Sequence, residues 1–279
     1  MQSAARVWTR RAKLRVHQTR RLLAWALHPR AFDKPELAEG EGPHPHIVYA
    51  KSVPIARVDP DAHVLLEAGK RTNVALAAPH FDGVFVSAER PLSFWRALGR
   101  ISASRGYQDG MELRGGCIVP ALGGGICILS NALFEMAARL GWSILERHGH
   151  SMEAVPSESD LPWGMDATVL WPHVDLRIAP RHGSARLGMR VADGKLHLTV
   201  HATSSYVAEV ELSAADDCIA KTAAGRVRTN RVIRKVDGTS EVLCTNEKRL
   251  LHSPERRRNC YTCEEHSCRE RPIALRGRT

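Results

Sequence analysis

Residues 123–151 read GGGICILSNALFEMAARLGWSILERHGHS, and this stretch restricts the fold more than any other. Three glycines deliver Cys127 to the first turn of an apolar segment with helical periodicity, Gly141 stops it, and a β-branched and aromatic run follows. A helix over 127–140 spans roughly 20 Å at ~1.5 Å per residue. A strand over 142–148 covers about the same distance at ~3.3 Å per residue. The chain therefore runs out along a helix and back along a strand, returning His148 and His150 to the level of Cys127. A helix N-terminus carries partial positive charge and N–H groups without intrahelical acceptors, so a thiol there is biased toward thiolate.

Alternation along the expected strand puts Trp142, Ile144, Glu146, His148 and His150 on one side, with Leu145 and Arg147 on the other. The first side should face the helix, which turns both imidazoles toward Cys127. Asp166 opens the next extended segment. A thiolate, an imidazole and a carboxylate then converge, as nucleophilic catalysis requires. Cys127 is the candidate nucleophile, His148 or His150 the base and then the acid, and Asp166 the group that orients the ring. Backbone N–H groups near Gly125 and Ile126 are candidate oxyanion donors. The same residues also suit zinc, with two histidines on one strand face plus Cys127 or Asp166. A third reading is packing alone, because cysteine is often simply buried.

The chain has 279 residues, enough for a full core. Its net charge of +10 is carried by the ends: residues 1–30 hold eight Lys/Arg and no acid, and residues 249–279 hold eight Arg against four Glu. The body is nearly neutral, which argues against a core that binds nucleic acid. An Arg-rich helix is expected over 5–28, with Arg6, Arg10, Lys13, His17 and Arg20 on one stripe. It suits an anionic partner or simply a solvated face. The longest N-terminal apolar run, residues 22–27, is too short for a signal or a membrane span. The expected location is cytoplasmic, with thiols reduced.

Five regions are expected: a basic helix (1–32), a Pro/Gly/Glu-rich linker (33–46), an α+β core (47–180), a β-hairpin region (181–248) and a Cys/Arg-rich tail (249–279). Within the core we expect an edge strand from Ile47 that tolerates Pro54, a helix over 60–78 weakened by Gly69, and a short strand at 83–86. A short helix at 92–99, one strand around 111–119 and a strand pair at 166–178 complete it. Asp193-Gly194 and Asp237-Gly238, each between alternating runs, mark two-residue hairpins.

Five blocks in order then carry a family resemblance: KRTNVALAA at 70–78, RGYQDG at 105–110, LGGGIC at 122–127, ERHGHS at 146–151 and MDATV at 165–169, followed by Asp175-Leu176. Over roughly residues 70–178 the chain resembles the VanW family, named from a vancomycin-resistance gene cluster. The resemblance implies a link to antibiotic resistance or cell-wall biology. It marks Gly123, Gly124, Gly125, Cys127, His148, His150, Ser151 and Asp166 as a shared site, the glycines and Ser151 for substrate. The family usually has Gln directly after the cysteine; here Ile128 stands there, so that amide is missing. The order of Cys-bearing helix, His-bearing strand and Asp also looks papain-like or transglutaminase-like. The expectation is a thiol acyl transferase or amidohydrolase acting on a peptide-like substrate. The alternatives are a metal-binding accessory protein and a non-catalytic ligand-binding module.

The tail carries Cys260, Cys263 and Cys268 in C-x2-C-x4-C spacing, with Cys244 as a candidate fourth ligand and His266 as its substitute. Clustered thiols in a reducing cell suit zinc or a [4Fe-4S] cluster, and the spacing does not choose between them.

Overall fold

The computed structural model describes residues 4–28, 44–56, 60–114, 117–151, 160–222 and 225–250. It is a mixed α+β structure in which the strand pairings are antiparallel. Among the described residues the elements are helices α1 (Ala4–Leu27), α2 (Pro60–Ala77), α3 (Phe94–Leu98) and α4 (Cys127–Arg139) and twelve strands. The strands are β1 (His46–Pro54), β2 (Phe85–Ser87), β3 (Leu92–Ser93), β4 (Asp109–Arg114), β5 (Cys117–Leu122), β6 (Ser143–Glu146), β7 (Arg177–Ala179), β8 (Ser184–Ala192), β9 (Lys195–Ala202), β10 (Val210–Thr222), β11 (Gly225–Val236) and β12 (Thr239–Arg249).

The main sheet has the order β1-β9-β8-β2. Pro54 ends β1 at the sheet edge, where a missing backbone donor costs nothing. Both Asp-Gly pairs form two-residue hairpin turns with positive φ at each position: 50° and 70° at Asp193-Gly194, 46° and 85° at Asp237-Gly238. The first hairpin lies in the main sheet beside β1 and β2, so a division at 180/181 cuts through that sheet. The second belongs to a separate sheet, β10-β11-β12.

Helix α4 is apolar nearly all round because it is enclosed. Leu129, Leu133, Phe134, Met136 and Ala137 are buried among the core residues that also include Trp95, Leu176 and Ile178. The sheet β3-β7-β6 lies against it, and β10 closes over another side, where Arg234 of β11 donates to the Ala137 carbonyl at 3.3 Å. Helix α1 docks from outside: Arg21 bonds Glu146 at 2.5 Å and Trp25 packs edge-on against Trp171.

Two expected strands differ from the structure. The run around 111–119 is a hairpin, β4 paired with β5 from Asp109–Leu122 to Arg114–Cys117. Of the pair expected at 166–178, only β7 forms, together with a single Leu170–Val174 bridge. Ala167 is held instead by the side chains of Ser130 and Asn131 on α4, and the Thr168 N–H bonds the His148 carbonyl at 2.8 Å.

Candidate active site

The glycine loop exists because three pieces of backbone meet there. A Cβ on Gly124 would lie 2.4 Å from the Gly110 carbonyl carbon, and one on Gly69, in the middle of α2, 2.0 Å from the Asp109 carbonyl oxygen. Gly125, at φ +94°, is covered by the stem of Lys70, and Gly123, at φ +77°, by Ile101. Asn73 fastens the junction, donating to the carbonyls of Gln108 at 2.9 Å and Gly124 at 3.0 Å. The three glycines of the loop are thus surrounded by protein and place the start of α4, an arrangement that differs from the substrate cradle expected of them. Ile126 N–H is already turned back to the Gly123 carbonyl at 3.4 Å, which weakens it as an oxyanion donor.

Cys127 opens α4, half-buried. Its sulfur accepts hydrogen bonds from His150, from the Thr168 side chain and from the Val169 N–H. Burial alone would raise the thiol; the His150 bond and charge, with the two donors from 168–169, outweigh it and bring Cys127 below the ordinary thiol value. His150 Nδ1 is bonded to Asp166 Oδ2, which leaves Nε2 for the sulfur. Burial pulls the imidazole down, but Asp166 and Cys127 together push it up to about 9. Both shifts run toward a thiolate–imidazolium pair.

Asp166 is a hub. Oδ1 accepts from Arg147 Nη2 at 3.0 Å and from Lys248 Nζ at 2.6 Å, and Oδ2 also accepts the His150 N–H at 3.2 Å. Burial opposes its charge, yet His150 and Lys248 hold the carboxyl at about 2. Arg147 lies over the Phe134 ring and Lys248 over the Trp163 ring, so both cations are nearly enclosed. The segment carrying Asp166 is stitched to α4 by Ser130, which donates to the Ala167 carbonyl at 2.7 Å, and by Asn131, which accepts the Ala167 N–H at 2.8 Å.

His148 takes a different path. It is exposed and its Nε2 faces Glu146 Oε1 at 3.2 Å, beside the Arg21 contact. The expected alternation fails because β6 ends at Glu146 and has an irregularity between Ile144 and Glu146. Beyond that point the period of two no longer governs the chain, so Arg147 turns inward and His148 outward. Ser151 is exposed, and its carbonyl accepts the Arg249 N–H at 3.0 Å.

Arg147, Lys248, Thr168, Ser130 and Asn131 escaped the reading of the sequence. Arg147 and Thr168 sit inside the ERHGHS and MDATV blocks, so a signal existed for them; Lys248 is 82 residues from Asp166 and had none.

Among the described residues no group of three or more His, Cys, Asp or Glu is arranged to hold a metal. Of the expected tail ligands, Cys260, Cys263 and Cys268, with His266, lie outside the described residues. Cys244 lies near Asn246, Arg147 and Asp166, where burial pushes its thiol up. No described helix is long and apolar enough to cross a membrane.

Fold and site together define an α+β protein with a Cys–His–Asp cluster at a helix start. Residues 69–201 match the family model described as "VanW like protein", so that stretch of the chain is similar to the VanW-like family. It is 27% identical over 140 residues to the vancomycin B-type resistance protein VanW of Enterococcus faecalis, covering 50% of this chain and 51% of that protein. It is 33% identical over 105 residues to the uncharacterised protein YoaR of Bacillus subtilis, covering 38% of this chain and 33% of that protein. The chain thus spans about half the length of the first relative and a third of the second. No solved structure matches it.

Proposed function

We propose that this protein is a thiol-dependent acyl transferase or amidohydrolase acting on a peptide-like substrate, with Cys127 as nucleophile, His150 as acid and base, and Asp166 as the orienting carboxylate. The observation that carries this reading is the continuous hydrogen-bonded path from Cys127 through His150 to Asp166. The Cys127 thiolate attacks the acyl carbon and forms a C–S bond. The imidazolium of His150 protonates the departing amine as the C–N bond breaks. Water or an acceptor amine then gives a proton to His150 and displaces the sulfur, restoring the thiolate. The Cys127 N–H lies at the end of α4, where backbone donors lack intrahelical acceptors, and suits the developing oxyanion. Similarity to a protein named for vancomycin resistance supports a cell-wall or antibiotic setting for the substrate.

The test is the pH dependence of Cys127 alkylation by iodoacetamide, followed by mass spectrometry. In the intact protein the acid limb should fall below the ordinary thiol value of about 8.5. His150→Ala should move it up to or beyond that value and slow the reaction at pH 7 by about tenfold or more. Uniform labelling of all thiols, or a limb that His150→Ala leaves in place, overturns the reading. So does a Cys127→Ser variant that retains full function in cells, which is what a non-catalytic binding module would give. The tail is a separate proposal, a zinc or [4Fe-4S] site on Cys260, Cys263 and Cys268, with Cys244 as the fourth ligand or His266 in its place.

A further inference from the structure

Helix α1 has two faces with different neighbours. The inner face is committed to the core: Gln18 donates to the Trp171 carbonyl, Arg21 bonds Glu146, and Trp25 is buried beneath the Arg96 guanidinium. This docking fixes what the opposite side presents. Ala12, Val16, Thr19, Leu23 and Leu27 follow one another at spacings of three or four residues, so they form one strip along the helix. All are exposed, and the large ones strongly so: Val16 by 55%, Leu23 by 54% and Leu27 by 72%. Lys13 and Arg20 border the strip on one side and Arg15 on the other, all exposed, and the 24 residues of α1 contain no acid.

We infer that this strip seats the protein on an anionic lipid surface. An apolar strip bordered by cations is the pattern of a helix lying in a bilayer interface, its leucines among the acyl chains and its Lys and Arg heads at the phosphates. The alternatives fit less of the pattern. A second copy of α1 would bring a wholly cationic helix against another. A nucleic acid would use the cations and leave the leucines in water. A bilayer covers a protruding helix without needing a complementary groove. The inference stands apart from the chemistry at Cys127.

The experiment is flotation of the full chain with vesicles of phosphatidylcholine alone and with about a third phosphatidylglycerol. Flotation should require the anionic lipid and fall with added salt. Val16→Ser/Leu23→Ser/Leu27→Ser should weaken partitioning by at least about tenfold. Lys13→Gln/Arg15→Gln/Arg20→Gln should weaken it by about fivefold per charge removed. Thermal melts should match the parent, since the altered side chains are exposed. Three results overturn the inference: no flotation, equal flotation with phosphatidylcholine alone, or loss on removing the charges but not the leucines. The last, with binding to RNA homopolymer, would identify a nucleic acid. Strip-dependent dimerisation without flotation would identify a second copy.

Discussion

Asp166 touches one imidazole and two enclosed cations, and its pairing has consequences for both reactivity and stability. Its carboxyl is depressed from 3.8 to about 2, so its contribution to stability is complete above pH 3.8 and disappears as pH falls toward 2. His150 shifts in the opposite direction, from 6.5 to about 9, so its contribution is complete below 6.5 and is lost as pH rises through about 9. Both are present together between about pH 4 and 6.5, where the site is best held. Asp166→Ala leaves Arg147 and Lys248 enclosed without their carboxylate, and should cost about 3–5 kcal/mol in urea unfolding at pH 6. A loss under about 1 kcal/mol would mean that water already compensates those cations.

Among the elements, α2 carries the sharpest test, because local preference and packing disagree there. Gly69 sits mid-helix, and helix propensity alone predicts that Gly69→Ala stabilises by about 0.8–1 kcal/mol. The new methyl would meet the Asp109 carbonyl oxygen at 2.0 Å, inside any permissible contact. The variant should therefore be destabilised by about 1–3 kcal/mol, seen as a drop in Tm. Gly194→Ala serves as a contrast: nothing lies within 4 Å, and only its φ of +70° opposes the change, at a cost of about 1–2 kcal/mol. A Tm for Gly69→Ala at or above the parent would show that α2 can move away from β4. The same comparison explains what was readable in the sequence. The Asp-Gly turns and the cysteine helix follow from local chemistry and appear where expected. The end of β6 depends on its partner β7 and on the pull of Asp166 on Arg147, so strict alternation puts His148 on the wrong side.

The whole molecule extends the site beyond the family stretch. Residues after 201 form β10-β11-β12, and this sheet closes over α4, with Arg234 reaching the Ala137 carbonyl and Lys248 reaching Asp166. The Asp166 carboxylate is thus held in part by a strand that the matched region does not contain. Farther along, Cys260, Cys263 and Cys268 carry a prediction for the whole chain: anaerobically purified protein should contain zinc, or iron with sulfide, by elemental analysis and absorption spectroscopy. Cys260→Ser/Cys263→Ser should remove it, and absence of both metals from the parent would dismiss the proposal.

Local chemistry settles much of this protein before any packing is considered. Glycine stops, helical and alternating periodicities and Asp-Gly turns act over a few residues, so the cysteine at a helix start, the two hairpins and the basic helix could each be read along the chain. Which histidine meets the sulfur, which cations grip Asp166, and why the glycines crowd together are matters of side-chain direction and long-range approach. Those depend on where a strand stops and on groups 82 residues apart, and no local rule contains that information.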